Sequence, residues 1–212
     1  MHSPHQGPGR SFMQLILAST SPYRKKLLQR LHLPFHCASP QTDESPVPGE
    51  LPAARALRLA LDKAHSVAAD LPGGLVLGSD QVAAIGESIL RKPGNRDNAL
   101  AQLQASQGKA VDFHTAIALV NTETGQIESH VELFRVYFRL LTQAQLEHYI
   151  SVDEPYDCAG SFKWESLGIA LFERLCGDDP TSLEGLPLIA LTTLLGRCGM
   201  PVLATPGLAG GK

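Results

Sequence analysis

Gln14-Leu15-Ile16-Leu17-Ala18-Ser19-Thr20-Ser21-Pro22 is the stretch on which the fold turns. Its apolar half reads as a short buried strand. Ser21 then has the side chain of a helix N-cap, and Pro22 suits the first helical position. Leu27, Leu28 and Leu31 recur at helical spacing beyond it. A strand, a small-residue turn and a helix in this order put free backbone N–H groups and a positive dipole end where a phosphate can dock.

Reading outward, Phe35–Ser39 is a second short strand, and residues 41–49 form a proline-containing loop that carries Asp43 and Glu44. From Pro52 to Ala69, Leu57, Ala60, Leu61, Ala64, Val67 and Ala68 form one helical stripe, with Lys63 on its flank. Leu75–Gly78 reads as a buried strand ending in Ser79-Asp80, and a polar acid just past a buried strand is a common address for chemistry in α/β sheets. Asn95–Ser106 has helical composition. Val111–Val120 and Ile127–Leu140 read as an antiparallel hairpin around Thr122-Glu123-Thr124-Gly125. Thr142 and Gln145 have capping-box spacing, and a last helix is expected near Leu188–Cys198. The mixture predicts an α/β domain with a mixed sheet and flanking helices.

The termini differ from this body. Residues 1–12 are rich in His, Pro and Gly and predict a disordered leader, whereas residues 201–212 predict a flexible tail. One domain over residues 13–200 remains. Lys and Arg total 18 against 21 Asp and Glu, a net charge of −3, so no broad field is available to hold a nucleic acid polymer or an anionic membrane. Any anionic ligand must instead meet a local cluster of cations. No apolar run approaches the roughly 20 residues of a bilayer span. Cys37, Cys158, Cys176 and Cys198 lack C-x-x-C spacing, which argues against zinc and predicts reduced thiols in a cytoplasmic protein.

Taken singly, the candidate residues are ambiguous. Ser19-x-Ser21-x-x-Arg24 also describes a capped helix with a solvated first turn, Glu44 an ordinary loop acid, and Lys63 a surface lysine beside Asp62. Asp80 is less easily explained by packing. In combination they say more. The chain reads L-I-L-A-S-T-S-P-Y-R-K-K-L-L from Leu15, D-E at Asp43, L-D-K-A from Leu61, G-S-D-Q-V from Gly78, R-K-P from Arg91, C-A-G-S-F-K-W-E-S-L-G-I from Cys158 and G-L-P-L from Gly185. In this order, from Gln14 to Gly199, it resembles the Maf family of nucleotide pyrophosphatases. Within that family it is most similar to the branch acting on 7-methyl-GTP, with S-P-aromatic-R, S-D-Q and S-F-K-x-E in place.

The resemblance implies an elongated, two-lobed Maf/ITPase-like architecture with a nucleoside triphosphate in a central cleft, and a homodimer. It implies that Ser19 and Arg24 bind phosphate, and that Lys63 and Lys92 neutralise the rest of the triphosphate. Glu44 and Asp80 would hold a divalent cation, Mg²⁺ or Mn²⁺, with Asp80 also the proton acceptor for the attacking water. The family's discriminating positions fall on Tyr23, Gln81 and Glu165. Such a set suits the chemistry: cleavage between the α- and β-phosphates needs an in-line water, and charge builds on the departing diphosphate.

Two departures stand out. Tyr23 occupies a position where many Maf proteins have arginine. Lys25 stands where this branch often has a second arginine and keeps the charge without the bidentate fork, so it is left out of the site. The expected reaction is hydrolysis of 7-methyl-GTP to 7-methyl-GMP and diphosphate. Glu165 would favour a cationic methylated base, and Tyr23 or Trp164 would stack on it. Gln81, able to donate and accept, is expected to discriminate weakly. The rivals are a pyrophosphatase preferring UTP, dTTP or CTP, and a regulatory module that binds nucleotide with little turnover.

Overall fold

A computed structural model describes residues 13–203. The expected leader lies outside the described residues, as does the expected tail beyond residue 203. The sheet has seven strands: β1 (Leu15–Ala18), β2 (Phe35–Ala38), β3 (Leu75–Ile85), β4 (Ser88–Leu90), β5 (Ala110–Asn121), β6 (Ile127–Phe138) and β7 (Phe172–Cys176). Their order is β2-β1-β3-β5-β6-β7, with β4 paired to β3. β2, β1 and β3 run parallel; β5, β6 and β7 continue the sheet antiparallel. Five helices flank it: α1 (Pro22–Gln29), α2 (Pro52–Ala68), α3 (Arg96–Ser106), α4 (Gln143–Asp153) and α5 (Leu188–Arg197). The mixed α/β architecture agrees with the sequence. Among the described residues no helix is long and apolar enough to cross a membrane.

Local signals account for most element ends. Ser21 caps α1, accepting from the Arg24 amide, and Thr142 and Gln145 form a reciprocal capping box on α4. Strand alternation then sends side chains to two faces. Leu15, Leu17, Leu75 and Leu77 pack with α1 and α5, whereas Ile16, Ala18 and Val76 pack with α2. A further core forms around the far ends of β5 and β6, where Phe113, Phe138, Phe162 and Phe172 meet edge to face under α3 and α4. Two lobes result, one built on the parallel strands and one on the end of the long hairpin.

Three expectations need correction. Asp80 does not lie beyond a strand; β3 runs through it to Ile85 because β5 pairs with β3 from Leu75 to Ala84. The buried stripe of α2 is rotated, with Ala56, Leu59, Ala60, Lys63, Ala64 and Val67 inside while Leu57, Leu61 and Ala68 are only partly covered. The cause is Gly78. A Cβ there would lie 2.1 Å from the Ala60 carbonyl oxygen and 2.7 Å from the Ala64 nitrogen, so α2 sits directly on β3 along its Ala60–Ala64 face. This close approach turns Lys63 inward. It is buried, contrary to the surface position expected of it.

Candidate active site

The site begins where the parallel sheet parts. On one edge, β3 pairs with β1 from Leu75 to Gly78 and with β4 from Ala83 to Ile85. Ser79–Val82 therefore have no strand on that side among the described residues. A cleft of about 830 Å³ opens in this gap, at the carboxyl end of β1, and both lobes line it. Ser19, Tyr23, Arg24, Glu44, Lys63, Asp80, Gln81, Lys92 and Glu165, all expected from the sequence, line this one cleft.

Strand periodicity divides the work of Ser79, Asp80 and Gln81. On the α2 face, the Lys63 ammonium touches Asp80 Oδ1 at 2.6 Å and Glu44 Oε1 at 2.7 Å. The Lys63 and Asp80 side chains are 10% and 11% exposed, whereas Glu44 at the mouth is 57% exposed. Lys63, followed by Lys92 and Arg24 at longer range, holds the Glu44 carboxyl below its usual range. Arg55 donates to the Glu44 carbonyl oxygen at 2.6 Å and fixes the loop that carries it.

On the opposite face, Ser79 and Gln81 hold the 3₁₀ turn Pro180–Glu184 and the glycine that follows it. Ser79 Oγ donates to the Gly185 carbonyl oxygen at 2.8 Å, and Arg24 Nε donates to the same oxygen at 2.9 Å. Gly185 has φ 100°, a conformation that favours glycine. With Nε so engaged, the terminal nitrogens of Arg24 remain for an anion. Burial pulls the Arg24 guanidinium down from its ordinary range, with the charges of Asp80 and Glu44 opposing. Gln81 Nε2 donates to the carbonyl oxygens of Ser182 at 2.6 Å and Leu183 at 3.3 Å and to Thr115 Oγ1 at 3.1 Å. Two carbonyl partners demand the NH₂ group, so Gln81 has only its acceptor oxygen left for a ligand. The expectation that it both donates and accepts is thereby narrowed.

At the other end of the cleft stand Tyr23, Asp157, Trp164, Glu165 and Glu184. The Tyr23 hydroxyl donates to Asp157 Oδ2 at 3.2 Å, and burial, then neighbouring negative groups, raise its pKa. The Glu165 segment is pinned from α4: the Lys163 amide donates to the Tyr149 hydroxyl at 3.0 Å, and Asp153 accepts from Ser166 Oγ at 2.8 Å and the Gly168 amide at 3.1 Å. Lys163 donates to the Asp153 carbonyl at 2.9 Å and lies 3.9 Å from Asp157, with no ion pair to Glu165. Trp164 packs partly on the phenylalanine core, and its buried Nε1 has no hydrogen-bond partner. Cys158 lines the same end; burial, aided by Asp157, pushes its thiol up to about 12, which keeps it protonated and inert.

Sequence reasoning missed Arg55, Ser79, Thr115, Asp157 and Glu184. A signal existed for Arg55 only: Arg55, Leu59 and Lys63 line the cleft at i, i+4 and i+8 of α2.

The sheet parts over a buried acid–lysine pair, in a cleft lined by Arg24, Lys63 and Lys92 together with Glu44, Asp80, Asp157, Glu165 and Glu184. Comparison with known proteins assigns the family. The Maf-like protein family matches residues 14–198, and the chain belongs to it. The chain is 52% identical over 189 residues to a 7-methyl-GTP pyrophosphatase of Nitrosococcus oceani, covering 89% of this chain and 95% of that one. It is 53% identical over 190 residues to a 7-methyl-GTP pyrophosphatase of Vibrio vulnificus (90% and 97% covered). A relative of the same name from Thiobacillus denitrificans is 50% identical over 197 residues (93% and 98% covered). Among solved structures, a HAM1 protein from Coxiella burnetii aligns over 88% of this chain and 100% of that chain, with a TM-score of 0.46 and 15% identity, too slight a likeness to build on.

Proposed function

We propose that this protein is a nucleotide pyrophosphatase that hydrolyses 7-methyl-GTP to 7-methyl-GMP and diphosphate. The observation that carries the reading is the buried Lys63–Asp80 pair, completed by Glu44, on the floor of a cleft wide enough for a nucleotide. The names borne by relatives near 50% identity over almost the whole chain support the substrate.

In this reading the triphosphate enters the cationic end, against Ser19, Arg24, Lys63 and Lys92. Water attacks in line, the bridge between the α- and β-phosphates breaks, and the proton passes toward Asp80. Arg24 and the lysines receive the charge that builds on the leaving diphosphate. Lys63 orients Asp80 through their 2.6 Å contact, and Arg55 holds Glu44 in place.

A divalent ion fits this set. Glu44 and Asp80 converge on a single point, which the Lys63 ammonium shares, and Mg²⁺ sites of this kind use one or two carboxylates plus substrate oxygens. Among the described residues no three acidic, histidine or cysteine side chains cluster as a self-sufficient cage, so water and substrate phosphate oxygens would complete the coordination. Mg²⁺ or Mn²⁺, held by Glu44 and Asp80, would polarise the phosphoryl group.

At the far end, Glu165 faces the base and favours a ring made cationic by methylation, while Tyr23 and Trp164 supply aromatic surface. Gln81 offers an acceptor, which suits the N–H groups of a guanine edge. The four cysteines, none paired in a disulfide, support a reducing, cytoplasmic setting. A homodimer completes the reading, and light scattering on the purified protein tests it. The test of function is diphosphate release from 7-methyl-GTP, GTP, UTP, dTTP and CTP, with Mg²⁺ and with Mn²⁺. Preference for 7-methyl-GTP is expected. Preference for pyrimidines would move the protein to another Maf branch, and binding without turnover would make it a nucleotide-sensing module.

A further inference from the structure

We propose that Glu184, with Glu165, forms a two-acid selectivity element that reads the positive charge of the substrate's base. This rests on the 7-methyl-GTP reading above and adds to it a residue that no sequence signal marked. Glu184 closes the 3₁₀ turn Pro180–Glu184 and lines the cleft. Its backbone is fixed on both sides, since the Leu183 carbonyl oxygen accepts from Gln81 and that of Gly185 from Arg24 and Ser79. The residue is therefore presented from a rigid seat, as a selectivity group needs.

What distinguishes it is the lack of a partner. The other cleft acids are engaged: Asp80 and Glu44 by Lys63, and Asp157 by the Tyr23 hydroxyl. Glu165 and Glu184 make no hydrogen bond and no ion pair among the described residues. Burial and then the charge of Glu165 hold the Glu184 carboxyl above its usual range, while the pull of Arg30 and Lys26 is weaker. Two carboxyls that line one cleft and repel each other lower their mutual cost when a cation lies close to both. A neutral base returns no such gain. The ligand that uses this arrangement is a purine with a positively charged ring and a polyphosphate tail long enough to reach Lys63.

The experiment compares kcat/KM for 7-methyl-GTP and GTP in wild type, Glu165→Gln, Glu184→Gln and the double variant, with thermal melting of each. Glu184→Gln keeps size and shape, so an unchanged Tm is expected. Its 7-methyl-GTP to GTP ratio should fall roughly two- to fivefold, as befits a partly exposed charge, with GTP little affected. The double variant should discriminate less than either single one. A wild type that prefers 7-methyl-GTP alongside a Glu184→Gln ratio that stays put, or equal losses on both substrates, overturns the role of Glu184 alone. A wild type that cleaves GTP as readily as 7-methyl-GTP overturns the substrate reading, and the two-acid element with it.

Discussion

On the floor of the cleft one lysine touches two carboxylates at 2.6 and 2.7 Å, whereas at the base end Glu165 and Glu184 touch no cation among the described residues. Burial explains the difference between the floor and Glu165. Lys63 and Asp80 are almost shielded from water, where an unpaired charge is expensive, so the fold supplies each with a partner. Glu165 is exposed, and water offsets its lone charge at little cost. Changes on the floor should therefore disturb both catalysis and stability. Changes at the base end should alter selectivity and leave the fold intact.

The largest effect is expected for Asp80→Asn. The swap keeps the size of the side chain and removes its charge and basicity, and kcat should fall by roughly 100- to 1,000-fold or more. Near-normal diphosphate release would take Asp80 out of the chemistry. Lys63→Ala comes next. It leaves two carboxylates facing each other without their shared cation, so kcat/KM should fall by roughly 100-fold and stability by about 1–3 kcal/mol. Denaturant melts measure the second quantity, and an unchanged midpoint would contradict the buried pair.

Lys92→Ala probes the same end from its exposed rim. A loss of roughly tenfold in kcat/KM is expected at low ionic strength, shrinking as salt is added, with no change in Tm. A loss independent of salt would place Lys92 deeper in the reaction than its exposure indicates. Smaller again is the effect of Glu165→Gln, which should lower the 7-methyl-GTP to GTP ratio by roughly fivefold at unchanged stability. If this variant instead destabilises the protein, Glu165 belongs with the structural charges and the contrast between the two ends fails.

Much of this could be read from the chain because the signals were local. Ser21-Pro22, Thr142-x-x-Gln145 and the Gly125 turn each specify an element end within a few residues. The cleft residues could be named only through their resemblance to a family, since what assembles them is distant in sequence. Nothing near Lys63 announces that it is buried. That follows from Gly78, which admits α2 against β3 and has no local mark beyond being a glycine. The continuation of β3 through Asp80 likewise depends on pairing with β5, some 30 to 40 residues on. Glu184 looked like any acid before a glycine until Gln81, Arg24 and Ser79 were found holding its neighbours.

The Gly185 carbonyl oxygen, shared by Arg24 and Ser79, also bears on the order in which the molecule is made. Those contacts span 161 and 106 residues, so the closure entropy of long loops must be met before they form. A ribosome that has released the first 170 residues has delivered Ser19, Arg24, Lys63 and Asp80, yet not the turn that orients them. Catalytic competence should therefore arrive in one late step, when the last third docks, and a nascent chain halted short of Gly185 should carry the charges proposed for catalysis and hydrolyse nothing.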